Sequence, residues 1–187
     1  LTAYGALIDI AGLHSGDHVV ITAASSSVGL AAIQIANSVG ATTIAVTRTS
    51  AKMRALLEAG AAEVVASTEE DLAARLNQIA GPRGVRVVFD AMSHSGILIE
   101  YGGLSHAPTP FPLFAVLAKT LTLRGYLVHE ITGNPAKLEA AKAFILAGLE
   151  TGTLKPIIDR TFAFDQIVEA HRHLESNEQF GKIVVTI

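Results

Sequence analysis

Cysteine and tryptophan are both absent from this sequence. Without cysteine there is no disulfide and no thiolate metal site, which fits a cytoplasmic protein. Charge is sparse as well: only 17% of the 187 residues are charged, and the formal net charge is −3. So small a negative balance leaves no electrostatic case for nucleic acid or an anionic membrane surface as partner. No apolar run approaches the ~18 residues of a membrane span, and the first residues carry no signal-peptide pattern. Leu1 stands where a start methionine would, which implies a piece of a longer protein.

What the chain has in quantity is apolar character, at half of its residues. In one domain-sized chain this favours a sheet covered on both faces. The organising stretch is 19–36, VVITAASSSVGLAAIQIA. Val19-Val20-Ile21 is too brief for a helix and suits a strand buried on both sides. Six small residues follow, Thr22-Ala23-Ala24-Ser25-Ser26-Ser27, and then a helical pattern over 28–36 with Val28, Ala31, Ala32 and Ile35 on one stripe. A strand, a turn of small residues and a helix together aim unpaired N–H groups and the positive end of a helix dipole at one point, which attracts phosphate. A bulky side chain in the turn would hold the phosphate away from the backbone. The fingerprint G-x-G-x-x-G is met only at Gly29, with Ala23 and Ser26 read in the places of the earlier glycines. On these residues alone two readings stand: a dinucleotide site, or a plain strand–turn–helix in which Ser27 merely caps the helix.

Further along, strands are predicted at 42–46, 63–66, 85–90, 97–101, 121–126, 157–162 and 182–187. Helices are predicted at 2–11, from a Ser50 cap through Leu57, at 69–80, at 135–149 and at 165–174. Thr68 is read as opening the helix at 69, with Glu70 and Asp71 in its first turn. Strands alternating with helices at this spacing predict an α/β fold with a doubly wound parallel sheet, three-layered and of Rossmann type. In such folds an Asp or Glu about 20 residues past the glycine turn binds the adenine ribose of NAD. Here the second strand ends in Thr47-Arg48-Thr49-Ser50-Ala51-Lys52, with no acid between Gly40 and Leu57. Arg48 and Lys52 bring positive charge while Thr49 and Ser50 bring hydroxyls, a set suited to the 2′-phosphate of NADP(H). The bland alternative is a solvated basic loop.

The strings TAASSSVGLAAIQIA, TRTSAK, VVFD, ILIEYGGLS, TLRGY, LKPIIDRTF, IVEAHRHLES and GKIVVTI, in this order, resemble the medium-chain dehydrogenase/reductase superfamily. The likeness is greatest to its zinc-independent quinone oxidoreductase branch, often labelled zinc-type alcohol dehydrogenase-like, and it covers nearly the whole chain. The resemblance implies an NADP(H)-binding Rossmann domain over 1–187, with the family's barrel-like catalytic domain absent. It implies that Ser26, Ser27, Val28 and Gly29 meet the pyrophosphate and that Arg48, with Thr47 and Lys52, meets the 2′-phosphate. The loop Gly102-Gly103-Leu104-Ser105 would border the nicotinamide ribose and ring, and Gly125-Tyr126 would lie further along the cleft. Ser67 stands where these enzymes often carry a Tyr against the adenosine. The implied activity is hydride transfer from NADPH to a quinone, enone or similar carbonyl, with no catalytic residue assigned to this chain. A polyketide synthase enoyl reductase domain and a non-catalytic NADPH-sensing module are the rival expectations. A homodimer paired through the strand at 121–126 is also implied.

Other constellations carry less. His171 and His173 are two apart on a predicted helix and face different ways, and His14 and His18 flank Gly16, so no metal site is expected. His106 and Ser105 have no acid near them in sequence. The stretch Phe111-Pro112-Leu113-Phe114 reads as an apolar loop, either core, dimer contact or cleft wall. Only six residues, Ala91 to Gly96, separate the strands predicted at 85–90 and 97–101. Parallel neighbours need a crossover of about a dozen residues, so a helix-sized segment is expected to be missing between Asp90 and Ala91.

Overall fold

The computed structural model describes residues 1–89, 97–101, 113–119, 121–176 and 178–187. Its strands are β1 (His18–Ile21), β2 (Thr42–Thr47), β3 (Glu63–Ala66), β4 (Val87–Phe89), β5 (Ile97–Tyr101), β6 (Thr122–Tyr126), β7 (Ile158–Ala163) and β8 (Lys182–Thr186). The helices are α1 (Thr2–Tyr4), α2 (Ser27–Ser38), α3 (Met53–Glu58), α4 (Leu72–Ala80), α5 (Leu113–Lys119), α6 (His129–Thr132), α7 (Pro135–Glu150) and α8 (Ile167–Glu175). Six strands form one sheet in the order β3-β2-β1-β4-β5-β6, every pair parallel. This is the doubly wound order expected of a dinucleotide-binding fold.

The central strand is buried from both sides. Val19, Val20 and Ile21 are wholly inaccessible, and successive side chains point to opposite faces. Val19 and Ile21 enter a core shared with Leu30 and Ile33 of α2, Leu56 of α3 and Ile99 of β5. Val20 enters a second core with Ile44, Val46, Val65, Val88 and Leu76 of α4. Helices thus cover both faces, and the apolar run 19–21 needs no alternation. Thr43 is wholly buried in β2, and its hydroxyl is satisfied by Asn37 Oδ1 at 3.2 Å and by the Ala62 amide at 3.2 Å.

Several elements depart from the sequence expectation. The leading helix is α-helical only over α1 and continues as a π-helix, Gly5–Ile10. It lies close upon β6 and α6, where a Cβ on Gly5 would overlap the Tyr126 hydroxyl and Ile131. α4 begins at Leu72 rather than at 69, because Asp71 is its cap and accepts the Ala74 amide at 3.0 Å. Glu69 and Glu70 stay outside the helix, accepting the amides of Ser50 and Ala66. Leu113 and Phe114 open α5, a helix rather than a loop, and Phe114 is exposed and not core. The last two strands stand apart from the main sheet as a two-stranded parallel pair, β7-β8. Their junction with α2 is built by Gln34, which donates to the Lys155 carbonyl at 2.8 Å and accepts the Lys155 amide at 2.7 Å. β4 and β5 are parallel neighbours as expected; the link at 90–96, where the missing segment is expected, lies outside the described residues.

Candidate nucleotide-binding site

The turn between β1 and α2 has the build of a phosphate cradle. Ala23 takes φ +45, the one non-glycine residue with positive φ among the described residues. Glycine adopts that conformation without strain. By count the first fingerprint glycine falls at Ala24, so the left-handed residue sits one place earlier. Ser26 is the N-cap: its Oγ accepts the Gly29 amide at 3.0 Å and its carbonyl accepts the Leu30 amide at 2.9 Å. The cap is therefore Ser26 and not Ser27, which is already the first helical residue. A Cβ on Gly29 would lie 2.6 Å from the Ala23 carbonyl oxygen and 2.7 Å from Ala24 Cα. Only glycine lets α2 settle this close on the turn. The Gly29 amide is taken by Ser26, and the Ser27 amide faces the Gly181 carbonyl across the parallel bridge between Ser26 and Gly181. The Val28 amide is the donor left without a partner among the described residues at the start of the helix. The structure thus brings Ser26, Ser27, Val28 and Gly29 together, Ser26 as cap, Ser27 beside the bridge to Gly181, Val28 as donor and Gly29 as shape.

At the far end of β2, Thr47 and Arg48 are stitched to the loop after β3. The Thr47 carbonyl accepts the Ser67 amide at 2.9 Å, and the Arg48 carbonyl accepts the Thr68 amide at 3.0 Å and its hydroxyl at 2.5 Å. Ser67 therefore sits beside this end of the sheet, and the Arg48 side chain is exposed there. Lys52 turns elsewhere: its Nζ donates to the Gln179 carbonyl at 3.1 Å. An acid also reaches this loop, since Glu69 Oε1 accepts the Ser50 amide at 3.0 Å. It arrives from the third strand's loop, beyond the 40–57 stretch in which the sequence shows none.

The amino end of β8 lies against the cradle, a contact no local sequence signal announces. The Gly181 amide donates to the Ser25 carbonyl at 3.3 Å, and Gly181 bridges Ser26. A cavity of about 330 Å³ there is lined by Ser26, Ser27, His171, Gln179 and Lys182 among others. Gln179 Oε1 is buried without a hydrogen-bond partner among the described residues. Lys182 thus joins Ser26 and Ser27 in lining this side of the turn.

Gly102, Gly103, Leu104 and Ser105 lie outside the described residues, as does His106. Tyr126 does not line the cleft: it is 3% exposed, packed under the leading helix, with its hydroxyl raised from its ordinary pKa by burial, then by Glu130 and Asp9. His14 bonds Asp17 at 3.1 Å and His173 bonds Asp159 at 2.6 Å. No group of three or more His, Asp or Glu is placed to hold a metal among the described residues.

The sequence pattern of the zinc-binding dehydrogenase family matches residues 59–185. The quinone oxidoreductase of Pongo abelii is 27% identical over 197 residues, covering 100% of this chain and 59% of that protein. The spectinabilin polyketide synthase system protein NorB of Streptomyces orinoci is 32% identical over all of this chain, which spans 9% of its length. Among solved structures, Escherichia coli quinone oxidoreductase complexed with NADPH superposes with a TM-score of 0.85 at 26% identity, over 98% of this chain and 61% of that one. An NAD-dependent alcohol dehydrogenase superposes at 0.86 with 29% identity, over 100% and 56%. The chain therefore spans little more than half the length of the free-standing relatives it matches. Sheet order, cradle and family pattern agree, and the chain belongs to the zinc-binding dehydrogenase family, in the quinone oxidoreductase-like branch of the medium-chain dehydrogenase/reductase superfamily.

Proposed function

We propose that this chain is the NADPH-binding portion of an oxidoreductase that passes hydride to a quinone, enone or similar carbonyl. The observation that carries the reading is the cradle, where Gly29 permits close approach and the Val28 amide stands at the helix start without a partner among the described residues. A pyrophosphate fits such a set: the Val28 amide, the Ser27 hydroxyl and the Lys182 cation, at the positive end of a twelve-residue helix. At the adenosine end, Arg48 is the exposed cation for a 2′-phosphate, with Thr47 and the Thr49 and Ser50 hydroxyls around it. Lys52 is the weaker member, since it must leave the Gln179 carbonyl to take part. When bound, the nicotinamide supplies the hydride; the chain's own residues hold and orient the nucleotide.

The same reading gives the parent protein a second domain, and the β7-β8 pair supports it. Two parallel strands do not bury enough surface to stand alone. Ile158, Phe164, Val168, Leu174 and Ile187 are exposed on or beside this pair. We read this unit as part of a larger sheet completed by the remainder of the parent, which would also wall the acceptor against the nicotinamide. A homodimer through β6 belongs to the same reading.

The synthase relative supports a second reading, an enoyl reductase domain acting on a thioester-bound enone. Assaying the parent protein separates the two. Faster NADPH oxidation with a simple quinone than with a 2-enoyl thioester supports the first reading, and the reverse order supports the second. The 187-residue chain alone is expected to show negligible turnover, and enzyme-like rates from it would contradict the two-domain account.

A further inference from the structure

Four hydrogen bonds join the loop after β2 to the loop after β3. Two run from the Ser67 and Thr68 amides to the Thr47 and Arg48 carbonyls, and a third from the Thr68 hydroxyl to the Arg48 carbonyl. The fourth is of another kind, a side-chain carboxylate of Glu69 on the Ser50 amide at 3.0 Å. The neighbouring acids share a cation: Arg75 reaches Glu63 at 3.3 Å and Glu70 at 3.5 Å. Glu69 makes no ion pair among the described residues, and it is exposed. A full negative charge therefore sits on the ledge where Arg48 waits, two residues from it through Ser50. The same ledge carries the group that tells NADPH from NADH.

From this juxtaposition we infer that Glu69 is a specificity-determining residue, one that opposes the 2′-phosphate and sets how far NADPH is preferred over NADH. The inference rests on the nucleotide-binding reading above and deepens it. Arg48 attracts the phosphate; Glu69 repels it and also occupies the Ser50 amide that a phosphate oxygen would otherwise engage. NADH, with a neutral 2′-hydroxyl, feels neither charge strongly. The preference is thus a balance between one cation and one anion on a shared ledge.

The test is calorimetric titration of the full chain with NADPH and with NADH, for the wild type, Glu69→Gln and Arg48→Ala. Gln keeps an acceptor for the Ser50 amide and removes only the charge, so loop geometry is preserved. Glu69→Gln is expected to raise the NADPH-to-NADH affinity ratio about fivefold, the size of one screened like-charge contact at a solvent-facing rim. The gain should shrink as salt rises, which a purely structural role would not produce. An unchanged or lowered ratio overturns the assignment to Glu69. The Arg48→Ala arm tells whether more falls with it: a selective loss of NADPH leaves the 2′-phosphate reading standing, and equal losses remove that as well.

Discussion

Gly29 has no room for a methyl group. The added carbon would meet backbone at 2.6 and 2.7 Å, and backbone cannot swing aside as a long side chain would. Gly29→Ala is expected to cost about 1–3 kcal/mol of stability, as overpacking does, and to push α2 off the turn. Thermal unfolding measures the first effect and nucleotide titration the second; a variant that unfolds and binds as the wild type does would show that the turn yields. At this scale the sequence was informative where chemistry is local. The run of small residues and the single glycine marked the cradle, and an exposed Arg48 followed from the end of β2. It was silent on Lys182, Gln179 and Glu69, because each reaches the site through contacts far apart in the chain. Ser26 rather than Ser27 as cap depends on one residue's φ and ψ, which spacing does not fix.

Among the elements, the β7-β8-α8 unit carries its own titratable joint. Asp159 accepts the Phe180 amide at 3.0 Å through Oδ1 and lies 2.6 Å from His173 Nε2 through Oδ2. Burial alone would raise the Asp159 pKa, but the bonds from His173 and the Phe180 amide and the charges of His173 and Arg160 outweigh it and hold it below its ordinary value. A depressed carboxylate stabilises the fold above its unfolded pKa, about 4, and that contribution fades as pH falls through the lower folded value. Amide exchange in 158–186 should therefore rise more steeply below about pH 4 than exchange in β1 and β2, and Asp159→Asn should weaken that pH response. Equal pH responses in both regions would contradict a role for this joint. Elements of strong apolar or β-branched pattern were read within a few residues of their bounds. The π-helix and the short α6 were not, since close packing against Tyr126 and Ile131 shapes the first and tertiary contacts sustain the second.

For the whole molecule, the parallel doubly wound sheet followed from alternation of strand and helix, and β6 falls at the sheet edge. The split into two sheets did not follow, because periodicity announces a strand without saying which sheet it joins. Thr122, Leu123, Arg124 and Gly125 of β6 are exposed, and Leu117 and Leu127 expose further apolar surface beside it. An open edge strand flanked by exposed leucines invites pairing with a second copy. Sedimentation at high micromolar concentration is expected to show a dimer, and monomer alone would count against pairing through β6.

The central claim is that this chain holds NADPH by its cradle and its Arg48 ledge. Calorimetric titration of wild-type and Arg48→Ala chains with NADPH and NADH tests it most directly. The wild type should bind both nucleotides and prefer NADPH, and Arg48→Ala should weaken NADPH alone by ~1.5–3 kcal/mol, the worth of a hydrogen bond to a charged group. Equal losses for the two nucleotides, or no binding of either by the wild type, would contradict the account.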